Sequence, residues 1–85
     1  MTKYMFFQDP GHGWVKVSLK ELRKLGIADK ISVYSYRRKD SVYLEEDCDL
    51  HTFDQAKRAR GEGVVLVERH TNRYSKIRNY NRYIG

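Results

Sequence analysis

Apolar positions along this chain switch between the period of a strand and that of a helix, and the switches mark the elements. Tyr4-Met5-Phe6-Phe7 lies within a stretch of strand composition, Lys3 to Gln8, which Asp9-Pro10-Gly11 ends with turn residues. Trp14 to Val17 reads as a second strand, and the Asp9–Gly13 connection is short enough for a hairpin. Leu19, Leu22 and Leu25 then recur at helical spacing. Ser18 and Glu21 stand at the two positions of a capping box, and Val17 and Leu22 at those of a hydrophobic staple. Gly26 is placed for a left-handed C-cap, with Ile27 folding back on Leu22, so a helix is predicted over Leu19–Leu25.

Period two returns in Ile31-Ser32-Val33-Tyr34-Ser35-Tyr36 and again in Val42-Tyr43-Leu44-Glu45, with a polar link at 37–41, which predicts a second hairpin. Leu50, Phe53, Ala56 and Ala59 form a second helical stripe, closed by Gly61 and Gly63 and capped at its start by Asp47, Asp49 or Thr52. Val64 to Glu68 is a final strand. The order β-β-α-β-β-α-β predicts a small α+β domain, mainly antiparallel, with two short helices on one face. A chain of 85 residues is too short for two cores, so residues 1–70 are read as the domain and 71–85 as a basic Tyr/Arg-rich C-terminal arm.

Charge sets that arm apart. The chain has 17 Lys and Arg against 11 Asp and Glu, yet the stretch from Arg69 to Gly85 has cations, tyrosines and no carboxylate. Without it the excess nearly vanishes. Arg69, Arg73, Lys76, Arg78 and Arg82, interleaved with Tyr74, Tyr80 and Tyr83, suit phosphate contacts and ring stacking. The Arg37-Arg38-Lys39 hairpin tip is a second basic candidate. No run approaches the ~18 apolar residues of a membrane helix, and a single cysteine, Cys48, excludes an internal disulfide framework; the expected compartment is reducing and cytoplasmic.

Signs of catalysis are weak. Walker and Rossmann glycine loops are absent. Glu45, Glu46, Asp47 and Asp49 surround Cys48 and disfavour its thiolate. Cys48 and His51 have half the spacing of a metal site, which would need His12, His70, Asp47 or Asp49 to converge on it. Asp9-Pro10-Gly11-His12-Gly13 resembles the segment of zinc-dependent N-acetylmuramoyl-alanine amidases whose histidine binds the metal, but only over five residues, and Trp14 departs from it. The segment reads as a tight turn with positive φ at glycine, or as a binding loop presenting His12 and Trp14. Neither enzymatic activity nor a cofactor or bound metal is expected.

Over nearly its whole length the chain also resembles a group of small bacteriophage- and plasmid-encoded proteins. The resemblance rests on Phe7-x-Asp9-Pro10-Gly11-His12-Gly13-Trp14, Ile31-Ser32-x-Tyr34-Ser35-Tyr36, Tyr43-Leu44-Glu45-Glu46-Asp47 and Ile77-Arg78-x-Tyr80. It carries no activity and no site residues, and implies an accessory protein in the cytoplasm of a bacterial host. The expected function is binding of nucleic acid, or of a nucleic-acid-bearing complex, through the arm and the tip. The alternative is a protein-directed inhibitor or adaptor of host or antiviral defence machinery, of the anti-CRISPR or anti-restriction type. A homodimer is open.

Overall fold

A computed structural model of the protein describes residues 2–71 and 75–84. Its α+β architecture is a six-stranded mixed sheet in the order β5-β1-β2-β4-β3-β6. The elements are β1 (Thr2–Gln8), β2 (Gly13–Ser18), α1 (Leu19–Lys24), β3 (Tyr36–Arg38), β4 (Ser41–Glu45), α2 (Asp49–Ala59), β5 (Val64–His70), a 3₁₀ turn (Lys76–Asn79) and β6 (Asn81–Arg82). All neighbours pair antiparallel except β5, which runs parallel to β1 along an edge.

Both helices end as their sequences dictate. The Ser18 hydroxyl accepts the Glu21 N–H at 3.1 Å. At the other end Gly26 has φ +74°, with the N–H groups of Ile27 and Gly26 donating to the carbonyls of Leu22 and Arg23. The same pair of bonds closes α2 around Gly61, at φ +72°. The start of α2 differs from expectation. Its N-cap residue, Cys48, makes no side-chain cap, and Glu45 Oε2 instead accepts the N–H groups of Asp47 and Cys48.

Strand alternation sorts side chains onto two faces. On one, Tyr4, Phe6, Val15, Val17, Val42 and Leu44 pack beneath Leu19 and Leu22 of α1 and Phe53 of α2. On the other, Trp14, Tyr36 and Tyr43, with Phe7 beside them, form a second cluster whose cover is not a helix but Ile77 and Tyr80 from the chain end. A sheet this small cannot leave three large aromatics in water, so the last residues are drawn across it.

The C-terminal segment read as a basic arm lies against the domain. Residues 75–84 form a strap: it crosses the second face, pairs with β3 through β6, and then inserts Tyr83 into the helix-side core. Tyr83 is 1% exposed, its hydroxyl donating to the Ala28 carbonyl and its N–H to the Ser35 carbonyl. Expected strand Ile31–Tyr36 is also corrected, since only Tyr36 of it is in a strand. Asp49, buried at the head of α2, accepts the Ser32 N–H at 3.0 Å and the hydroxyls of Ser32 and Ser35. Those bonds curl the segment and leave Val33 and Tyr34 exposed.

Candidate functional site

Asp9 explains why the D-P-G-H-G segment is built as it is. Its carboxylate accepts the N–H groups of Gly11 and His12, each at 2.9 Å, which closes the turn. From the far end of the chain it accepts the Ser75 N–H at 2.9 Å and the Arg78 Nε and Nη2 at 2.7 and 2.9 Å. The Arg78 guanidinium, followed by burial in the opposite sense and then the backbone N–H bonds, leaves the carboxyl held well below the usual carboxylate range. The segment is therefore a staple for the strap.

Neither Gly11 nor Gly13 has positive φ, a correction to the turn reading. Space is what they supply. A Cβ on Gly13 would lie 2.7 Å from the Phe6 ring, and one on Gly11 would lie 2.9 Å from Arg78 Nη2. Gly13→Ala is expected to cost about 1–3 kcal/mol, because Phe6 is locked in the core and must shift. Thermal melting of the variant checks this; a melting temperature equal to that of the parent would show that the ring gives way freely.

Sheet register decides which cations share a surface. Residues paired across strands point to the same side. One row on the helix-free face reads Arg69, Phe7, Trp14, Glu45, and the next Lys16, Tyr43, Tyr36, Arg82. Arg38 follows in register with Ser41 and Ser18. The strap adds Lys76 and Arg78. Three of these guanidinium groups lie over rings of the same face: Arg82 over Tyr36 at 4.6 Å, Arg38 over Tyr80 at 5.3 Å and Arg78 over Trp14 at 5.4 Å. Stacking holds a guanidinium flat and leaves its N–H edge pointing away from the ring.

Two depressions open on this face. The first, about 240 Å³, is lined by Lys16, Arg38, Lys76, Tyr43 and Tyr80 among others, with no carboxylate in its wall. Hairpin tip and chain end, separate candidates in the sequence, meet here, with Arg38 Nη1 3.4 Å from the Tyr80 hydroxyl. The second, about 400 Å³, is lined by His12, Glu45, Asp47, Arg78 and Arg82, with Trp14 and Tyr34 also in its wall.

The remaining predicted residues separate. Arg37 is half-buried and donates through Nε to the Lys39 carbonyl at 2.9 Å. Lys39 sits in the turn at φ +54°. Tyr83 is a core residue and not a contact for a partner. Trp14 is 2% exposed and forms cavity wall, while His12 is exposed. Arg73 and Tyr74 lie outside the described residues. Lys16 and Tyr34 were not singled out by sequence reasoning. Outward alternation in Trp14–Val17 was a signal for Lys16; Tyr34 had none, because its exposure follows from Asp49.

No known protein family, curated protein or solved structure matches this chain. Among the described residues no helix is long and apolar enough to cross a membrane.

Proposed function

We propose that this protein is a non-enzymatic nucleic-acid-binding module whose contact surface is the helix-free face of the sheet together with its strap. One observation carries the reading. Register and strap gather Lys16, Arg38, Arg69, Lys76, Arg78 and Arg82 on a single face. Among the described residues, Arg78 is the one member of this set in an ion pair with a carboxylate, that of Asp9. The acid-free groove between Lys16, Arg38 and Lys76 suits a phosphate, and exposed Tyr34 and half-buried Tyr80 offer rings for unpaired bases. Single-stranded nucleic acid is the form whose bases reach such rings. The setting we propose is the one the sequence resemblance implies, an accessory factor acting in a bacterial cytoplasm.

Anisotropy of a labelled single-stranded oligonucleotide, titrated at several salt concentrations, tests the reading. Log affinity is expected to fall with log salt at a slope of about −0.7 per phosphate neutralised. Lys16→Ala/Arg38→Ala/Lys76→Ala, three exposed positions, is expected to lower the magnitude of the slope by about 2 and weaken binding at least ~10-fold at low salt. Binding indifferent to salt, or a triple variant that binds like the parent, would overturn it.

A protein partner is the second reading. It rests on Val33, Tyr34 and Ile84, the large apolar residues left most exposed, which flank β6 where Arg82 Nη1 bonds the Val33 carbonyl. Under this reading the chain is an inhibitor or adaptor of host or defence machinery, and capture of its partner survives nuclease.

A further inference from the structure

The larger depression contains a donor set that nucleic-acid binding does not use. His12 comes from the β1–β2 turn, Glu45 from the end of β4 and Asp47 from the entry to α2. One imidazole nitrogen and one oxygen from each carboxylate all lie within 4.8 Å of one another. Cys48 and His51, the pair with half a metal spacing in the sequence, do not belong to this group.

Backbone hydrogen bonds fix the loop that bears His12 and the carboxylate of Glu45. The Asp9 carboxylate fixes the loop bearing His12 by accepting the His12 N–H. The Glu45 carboxylate is held at Oε2 by the N–H groups of Asp47 and Cys48, which leaves Oε1 turned toward His12 Nδ1 at 3.9 Å. Ligand atoms around a four-coordinate ion bound at about 2.0–2.2 Å stand roughly 3.4 Å apart. Small rotations of the exposed His12 and Asp47 side chains close that difference.

A second, independent feature lies in the same wall. Trp14 is almost wholly buried, yet its indole N–H has no acceptor among the described residues. Buried donors are nearly always paired, by protein, by water or by a ligand. Arg78 and Arg82 border the same cavity. Two carboxylates and an imidazole thus share one cavity wall with guanidinium groups and an unpaired indole N–H, a donor set for a cation that carries an oxygen ligand.

The geometry points to a divalent transition-metal site formed by His12, Glu45 and Asp47 in the wall of this cavity. One nitrogen and two oxygens suit the borderline ions, zinc, cobalt and nickel, better than magnesium or calcium, which prefer oxygen alone. The inference does not depend on nucleic-acid binding.

Trp14 is the chain's single tryptophan, and the His12 ring lies 6.0 Å from it, so its fluorescence reports on this site. Untagged protein free of nucleic acid is titrated with Co²⁺, which quenches indole emission, and then with Zn²⁺ as a competitor. One equivalent of saturable quenching, reversed by Zn²⁺, is expected. His12→Ala and Asp47→Asn, both exposed positions, are each expected to weaken it at least ~10-fold, while His51→Ala and His70→Ala leave it unchanged. Circular dichroism of each variant confirms that it is folded. Quenching that survives His12→Ala, or that disappears with His51→Ala or His70→Ala, overturns the assignment.

Discussion

A chain ending at Thr71 is expected to lose its cooperative unfolding transition altogether. Ile77 and Tyr83 are each buried, and truncating side chains of that size costs about 2–5 kcal/mol apiece. Tyr80 goes with them, and Trp14, Tyr36 and Tyr43 lose their cover. Asp9 keeps its buried carboxylate but loses Arg78 and the Ser75 N–H. Together these losses match the whole stability of a domain this size, about 5–15 kcal/mol. Near-ultraviolet circular dichroism during a thermal melt checks the prediction. A truncated chain that melts as sharply and nearly as high as the parent would show the strap to be dispensable. Deleting the C-terminal segment therefore cannot serve as a test of binding, and substitutions at exposed Lys16, Arg38 and Lys76 are the ones that separate function from folding.

Asp9→Asn is expected to cost about 3 kcal/mol, because removing one partner of a buried pair strands the other charge. The Asp9 side chain is 0% exposed and that of Arg78 29%, so solvent recovers little of the loss. In a domain of this length that lowers the melting temperature by roughly 12–24 °C. The pH dependence has a definite sign. Arg78 depresses the folded-state pKa of Asp9 below its unfolded value of about 3.9, so the stabilisation is complete above that pH and drains away as the pH falls beneath it. The gap in melting temperature between parent and Asp9→Asn is thus largest near neutrality and narrows in acid. A gap that stays constant from about pH 7 to about pH 2 would mean the pair is not what holds the strap.

Local signals in the sequence were read well where the physics is local. Ser18 and Glu21 cap α1 three residues apart, Gly26 and Gly61 end their helices with positive φ, and both hairpins close over a few residues. In the capping box even one bond was diverted: the Glu21 side chain takes the Tyr4 hydroxyl at 2.8 Å and Lys57 at 2.9 Å instead of turning back to Ser18. Ile31–Ser35 misled because its period two is that of a strand, while the carboxylate that curls it belongs to Asp49 on another element. Residues after His70 left the choice open. Alternating cations and tyrosines fit a wet arm as well as a strap, and only the uncovered rings of the sheet choose between them.

By itself, then, the amino-acid order determined the α+β class, the two helices and their ends, and the local excess of positive charge. Tertiary structure decided where that charge lies and which acids face it. Asp9 and Arg78 are 69 positions apart, and His12 meets Glu45 and Asp47 only because β2 and β4 pair. Contacts at that separation depend on strand register and on which apolar surface still needs cover, and neither is written in any short stretch of the chain.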